Sequence, residues 1–198
     1  MKPAQVLQAA FDDPEGVERL RSRLAARAER AGLLDVAYRT VESPLGTLLL
    51  AATRAGVVRV AFASEDHDAV LARLAAELSP RVLCAPGRLE RAARELGQYF
   101  EGRRRAFDVP LDLSLARGFR RDVLGELAAI PYGATQSYAE LARAAGKPAA
   151  VRAAASACAQ NPLPLFVPCH RVVKSDGSAG EYRGGAAAKR ELLALERA

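Results

Sequence analysis

Only three of the 198 residues are cysteine, at positions 84, 158 and 169, and their spacing is uneven. That is too few and too irregular for a disulfide framework, and it points to a reduced, cytoplasmic protein. No run approaches the ~20 continuous apolar residues of a membrane span. Residues 1–29 mix charged and apolar side chains and contain no apolar core of the kind a secretion signal needs. Histidine is scarcer still, with two residues. In the first half of the chain Cys84 and His67 are the only free-standing metal-type ligands. A structural zinc site takes four, so neither a metal nor a cofactor is expected. There is no repeat and no low-complexity segment beyond a general richness in alanine.

What is present is a basic excess with an uneven distribution. The formal net charge is +6. Residues 1–116 hold 17 Lys/Arg against 16 Asp/Glu, whereas residues 117–198 hold 12 against 7. The positive surplus therefore sits in the second half, which is the electrostatic footprint of a polyanionic partner. A merely soluble basic surface would have the same composition.

The hydrophobic pattern predicts an α+β chain in three parts. Residues 1–33 form an N-terminal helical extension, with Asp13 as cap, Pro14 at the first helical position and Gly32 at the stop. Residues 34–110 form an α/β domain with a small antiparallel sheet. Its strands are 36–41, 47–52 and 57–62, separated by Ser43-Pro44-Leu45-Gly46 and Arg54-Ala55-Gly56, with 81–84 as a further strand. Helices are predicted over 66–78 and 88–101. The stretch 103–114, with three arginines and Pro110, is the candidate linker.

Residues 111–198 read as mostly helical. Helices are predicted over 119–130, 138–145 and from Pro148 to about Gln160. Ser137 and Glu140 form a capping box for the second. Two short helices joined at Gly146 make a helix-turn-helix pattern, which many helical proteins share. The second of these helices is unusual. Ala150, Val151, Ala153, Ala154 and Ala155 leave it almost without bulk, and Arg152 is its only charge. A buried helix would carry larger apolar residues on its inner stripe. Close helix–helix packing and close approach to a nucleic-acid groove both suit such a surface.

The chemistry centres on Pro168-Cys169-His170-Arg171-Val172. A free thiol has a pKa of about 8.5, and nearby imidazole or basic groups can lower it. Residues 163–167 read as a buried strand that would present Cys169 at its end. Read alone, Cys169 could equally be a buried structural thiol.

This motif resembles the signature of the O6-alkylguanine-DNA alkyltransferases, the methylated-DNA–protein-cysteine methyltransferases. The resemblance runs in order from Phe119 to Glu196. It takes in Ser137-Tyr138, the alanine-rich helix with Arg152, Asn161-Pro162, Gly180-Glu181-Tyr182 and Lys189. A looser likeness covers residues 41–47 (Val-Glu-Ser-Pro-Leu-Gly-Thr), and residues 1–33 show no counterpart.

The resemblance implies a function and a set of roles. An alkyl group passes from O6 of guanine, with O4 of thymine as a further position, to Cys169, once per molecule and with self-inactivation. His170 acts as base through a water, and Glu196 orients it. Tyr138 places its hydroxyl against the flipped guanine, and Asn161 braces the active-site turn. Arg152 enters the duplex from the minor groove and fills the gap left by the flipped nucleotide, with Ala150, Val151, Ala153 and Ala155 allowing close contact. Val172, Tyr182, Arg183, Gly184 and Lys189 belong to the substrate pocket. The implied partner is double-stranded DNA containing O6-alkylguanine; the protein is a monomer and involves no membrane.

Two rival readings stay open. One is a non-catalytic protein that binds alkylated DNA; relatives of that kind lack the cysteine, and Cys169 is present. The other is a helix-turn-helix regulator that reads base edges in the major groove. Its recognition helix would carry several Arg, Asn or Gln, whereas this one has Arg152 and Gln160. A cysteine hydrolase is more distant, since nothing points to an oxyanion hole. Multi-domain relatives that also activate transcription carry a cysteine-rich zinc domain in front. Residues 1–33 contain no cysteine, so that activity is not expected.

Overall fold

The computed structural model describes residues 13–197. Seven α-helices and two small sheets form among them. The first helix, α1 (Pro14–Arg30), starts where the Asp13 carboxylate accepts the Gly16 amide hydrogen at 2.8 Å. The part of the predicted extension that precedes Asp13 lies outside the described residues. Ala25 and Ala28 of α1 pack with Leu34, Ala37 and Ala85 in a small cluster of their own.

Strands β1 (Val36–Val41), β2 (Leu48–Ala52) and β3 (Val57–Ala61) form the expected antiparallel meander. The fourth strand changes the sheet type. β4 (Val82–Cys84) follows α2 (His67–Glu77) and pairs parallel to β1, giving the order β3-β2-β1-β4. The sheet is therefore mixed, not antiparallel as the sequence suggested. The reason is the crossover: β4 returns through a helix, which brings it back pointing the same way as β1. Strand β2 is buried along its whole length. Leu48, Leu50 and Ala52 face the main core, while Ala51 packs with Val36, Val58 and Leu74 under α2.

A 3-10 turn (Pro86–Leu89) leads into α3 (Glu90–Phe100), so the helix predicted over 88–101 begins as a tighter turn. The candidate linker 103–114 is anchored at its far end. The Val57 amide donates to the Pro110 carbonyl at 2.9 Å, and the Asp112 amide donates to Val57 at 2.8 Å. Gly56 makes this approach possible. Its φ is +149°, and a Cβ there would lie 2.3 Å from the Pro110 carbonyl oxygen. Gly56→Ala should therefore destabilise the protein by about 3 kcal/mol, through backbone strain plus a clash that no rotamer relieves. A thermal melt within a degree of the wild type would contradict this.

The second half begins with α4 (Phe119–Ala129). β5 (Gln136–Ser137) leads directly into α5 (Tyr138–Ala144), where Ser137 and Glu140 form the predicted capping box. α6 (Val151–Ala159) starts three residues later than Pro148, with Ala150 at its N-cap. Residues 163–167 do not form the predicted strand. They fold as a buried turn in which Leu165 takes φ 75°. The apolar run reflects burial rather than extension, an ambiguity that periodicity cannot resolve over five residues. A 3-10 turn (Cys169–Arg171), β6 (Val172–Val173) and α7 (Gly185–Leu195) complete the chain. β6 pairs parallel with β5.

One apolar core runs through both halves, from Leu48 and Leu96 to Leu141, Leu163 and Leu192. The edge of β3 joins it to the turn before the cysteine: the Val60 amide donates to the Pro162 carbonyl at 2.8 Å. Among the described residues no helix is long and apolar enough to cross a membrane.

Candidate active site and nucleic-acid interface

Cys169 opens a 3-10 turn at the bottom of a buried cluster and is 3 % exposed. The preceding turn is held by one side chain. Asn161 donates from Nδ2 to the Val167 carbonyl at 2.8 Å, and its Oδ1 accepts the Leu163 amide hydrogen at 2.9 Å. Those two bonds close the loop that contains the left-handed Leu165. Burial pushes the Cys169 thiol up to about 11, although Asn161 and Lys189 ease it down. In the resting protein, desolvation of the thiolate outweighs these neighbours.

His170 follows and is wholly buried. Its Nε2 lies 2.9 Å from Glu196 Oε1, and its Nδ1 has no hydrogen-bond partner. Burial lowers the imidazole pKa, and the Glu196 carboxylate only partly restores it, so the ring rests neutral. With Nε2 carrying the proton toward the carboxylate, Nδ1 holds a bare lone pair.

Glu196 sits at the C-cap of α7. Arg171 donates to it twice, Nε to Oε2 at 2.8 Å and Nη2 to Oε1 at 2.9 Å. The Gly133 amide adds a bond to Oε2 at 3.2 Å, and Tyr99 Oη donates to Oε1 at 2.7 Å. Burial works to raise the Glu196 carboxyl, but the bonds from His170 and Arg171 outweigh it and hold the pKa far below the usual carboxylate range.

Around this cluster the other sequence candidates divide. Lys189 of α7 is buried and donates from Nζ to the Val172 carbonyl at 2.6 Å, beneath the Tyr138 ring at 6.0 Å. Tyr182 stands edge-on to His170 at 6.3 Å and to Phe62 at 5.5 Å, with its hydroxyl buried and unpartnered. Gly184 lies flat against Phe62, where a Cβ would meet the ring at 2.8 Å. Arg183 departs from the group. It turns toward Glu65 at 3.7 Å and lines a separate cleft of about 420 Å³ with Arg59, Arg73, Arg120 and Gln160.

Tyr138 opens α5 and reaches Gly180, whose Cβ would lie 3.1 Å from the phenol oxygen. With Ala155, Ser156 and Ala159 of α6, and with Gly180 and Glu181, it lines a cleft of about 270 Å³. Burial pushes its hydroxyl up to about 12, with Cys158 and Cys169 close enough to add to the rise. It is a hydrogen-bond donor at any physiological pH.

Helix α6 buries Ala154, Ala157 and Cys158 against α5 and leaves Arg152 and Ala153 exposed, with Ala150, Val151 and Ala155 half-exposed. Its small residues thus serve close helix–helix packing on one face, while the other face is open to solvent. Arg152 makes no ion pair among the described residues.

Residues 118–198 match the model of the 6-O-methylguanine DNA methyltransferase DNA-binding domain, and residues 36–113 match that family's ribonuclease-like domain. The chain belongs to the 6-O-methylguanine DNA methyltransferase family. It is 38 % identical over 162 residues to the methylated-DNA–protein-cysteine methyltransferase of Mycolicibacterium paratuberculosis, covering 82 % of this chain and 93 % of that protein. The crystal structure of the Mycobacterium tuberculosis O6-methylguanine methyltransferase superposes with a TM-score of 0.71 at 36 % identity, over 82 % of this chain and 93 % of that one. The same tuberculosis protein in complex with DNA gives 0.70, over 81 % and 92 %.

A further relative reaches into the first thirty residues, for which the sequence offered no counterpart. The bifunctional transcriptional activator/DNA repair enzyme Ada of Escherichia coli is 36 % identical over 96 % of this chain, which spans 55 % of Ada.

Sequence reasoning missed three members of the cluster that this methyltransferase-family fold assembles. Arg171 was visible in the motif only as a basic neighbour, not as the clamp on Glu196. Tyr99 and Tyr132 gave no local signal. Tyr99 lies 71 residues before His170, and Tyr132, in the turn after α4, bonds the Leu195 carbonyl at 3.1 Å.

Proposed function

We propose that this chain repairs alkylated duplex DNA by transferring the alkyl group from O6 of guanine to Cys169, once per molecule. One observation carries the reading: a buried Cys169 is followed by a buried imidazole whose Nε2 lies against Glu196 and whose Nδ1 has no hydrogen-bond partner. In this reading residues 111–198 bind DNA and accept the alkyl group, residues 34–110 support them, and residues 1–33 are an extension.

The chemistry is a displacement at saturated carbon. The Cys169 proton passes through a water to His170 Nδ1, and Glu196 stabilises the resulting imidazolium. The thiolate sulfur bonds to the alkyl carbon as the bond from that carbon to O6 breaks. Negative charge grows on the departing guanine, and the Tyr138 hydroxyl donates to it. The product thioether is a very poor leaving group, so the protein does not turn over. No cofactor takes part in any step.

The alkyl carbon is out of reach inside a stacked duplex, and extruding the base costs a few kcal/mol. Arg152 on the exposed face of α6 fills the gap from the minor groove, while the small residues beside it permit close approach. The protein works as a monomer on double-stranded DNA. Arg152→Ala should slow repair of duplex substrate about 10- to 100-fold while leaving reaction with the free alkylated base nearly unchanged. Equal losses on both substrates would remove the gap-filling role.

The decisive test is intact mass after mixing the protein with duplex DNA that carries one O6-methylguanine, followed by peptide mapping. A stoichiometric gain of one methyl group on Cys169 is expected. No gain from folded, reduced protein that still binds the DNA would turn the reading into the binding-only one.

A further inference from the structure

The side chain that completes the His170–Glu196 pair comes from outside the motif, from the helix that closes the first half of the chain. Tyr99 of α3 is 1 % exposed. Its ring is wedged between Phe100 at 5.5 Å, Phe107 at 5.3 Å and Tyr132 at 6.2 Å, which fixes where the hydroxyl points. That hydroxyl donates to Glu196 Oε1 at 2.7 Å and lies 3.4 Å from His170 Nε2. Carboxylate oxygen, phenol oxygen and imidazole nitrogen thus form a closed triangle.

We infer that Tyr99 is a positioning residue for alkyl transfer, holding His170 in the tautomer and ring orientation that leave Nδ1 bare. The inference rests on His170 being the base. A phenol has one hydrogen, and here it is committed to Glu196 Oε1. What Tyr99 then turns toward Nε2 is a lone pair. An Nε2–H faces two acceptors and is favoured, whereas an unprotonated Nε2 would meet two oxygen lone pairs at close range. The phenol therefore penalises the tautomer with its proton on Nδ1, the one that cannot act as base toward the cysteine. Burial raises the Tyr99 pKa far beyond the usual phenol range, so its hydrogen stays in place.

Tyr99 also tempers the carboxylate. Oε1 accepts from Tyr99, His170 and Arg171 together, so each donor takes a share of the charge. The groups that face the imidazole are Glu196, Arg171, Tyr99, Lys189 and Tyr182. Removing the phenol donor leaves more charge for His170 and raises its pKa. Through this contact the packing of α3 on the second half is coupled to the base, although the first half supplies no reacting atom.

The test uses full-length protein labelled with nitrogen-15 in histidine, in two variants. Tyr99→Phe removes the hydroxyl. Replacing Tyr99 by 3,5-difluorotyrosine keeps the shape and strengthens the donor. In the wild type, His170 should show the pattern of a protonated Nε2 and a bare Nδ1. Tyr99→Phe should admit the other tautomer, raise the His170 midpoint by about 0.5 in pH, and slow methyl transfer about tenfold. Difluorotyrosine should move the midpoint the opposite way, which gives a reading even if the phenylalanine variant does not fold. The imidazole spectrum requires no transfer, so it stands apart from the mass measurement above. Wild-type His170 protonated on Nδ1, or a midpoint and tautomer ratio untouched by either variant, would overturn the inference. So would a slower Tyr99→Phe protein whose imidazole spectrum is unchanged, since that is the mark of a merely structural tyrosine.

Discussion

Cys169→Ser should bring alkyl transfer below detection while leaving affinity for alkylated DNA within about twofold. The hydroxyl of serine is a far poorer nucleophile toward saturated carbon than a thiolate, even with an imidazole base beside it. Binding should persist because Cys169 is 3 % exposed and offers almost no surface to a ligand. The substitution puts a smaller and more polar hydroxyl at a tightly buried position, so a stability loss of about 1 kcal/mol is also expected. Gel-shift titration and intact mass on the same preparation separate the two effects. A serine variant that still gained a methyl group would move the acceptor to another residue.

The pH profile of the wild-type protein follows from the same site. With the thiol pushed up to about 11, resting thiolate is only about one part in ten thousand at pH 7. Transfer must therefore draw on His170 at the moment of reaction. Burial lowers the imidazole pKa below its ordinary 6.5, so the base form survives to lower pH than a free histidine would allow. The acid limb of the rate profile should fall below pH 6.5, and a midpoint above that value would show that His170 is not the group that titrates.

How much of this was legible from sequence depended on the range of the interaction. The capping box at Ser137 and Glu140, the stop at Gly146 and the Asp13 cap are set within a few residues, and the structure has all three. The meander was legible because its turns are local. The parallel pairing of β4 was not, since nothing within 82–84 records which way the chain returns. Residues 163–167 failed differently. An apolar run states that a segment is buried, and here Asn161 decides its shape by bonding both ends of the turn.

The site shows the same division. Cys169, His170, Glu196, Tyr138, Asn161 and Arg152 could be named because the family resemblance spans them in one ordered stretch. Burial could not be read that way. The motif places basic residues beside Cys169 in sequence, but the burial that raises its thiol pKa is set by the fold around it. Arg183 appears in the motif stretch yet points to another cleft, because direction is set by Glu65 and not by neighbours in sequence.

Glu196→Gln should be the most destabilising single change in the site. The carboxylate receives Tyr99, His170, two bonds from Arg171 and the Gly133 amide, all in a space with almost no access to water. Glutamine supplies one acceptor oxygen, and its amide hydrogens would face donors. Arg171 would be left as a buried cation with at most that one oxygen to bond besides the Ile130 carbonyl at 2.5 Å. Breaking one side of such a pair costs about 3–5 kcal/mol, which in a chain of this length is a large part of the total stability. Acid should mimic the substitution. Because the folded carboxyl pKa is depressed, its contribution is fully present above its ordinary value of 4.5 and is lost as pH falls below it. His170 adds to the same trend, since a ring held neutral in the fold resists the proton that the unfolded chain accepts below 6.5. Denaturant melts of wild type and Glu196→Gln at pH 7 and pH 4 provide the measurement. The gap between them should narrow at the lower pH, because the wild type is then losing what the variant never had. A constant gap would show that Glu196 stabilises the fold by shape alone, and would leave the His170 base without its electrostatic support.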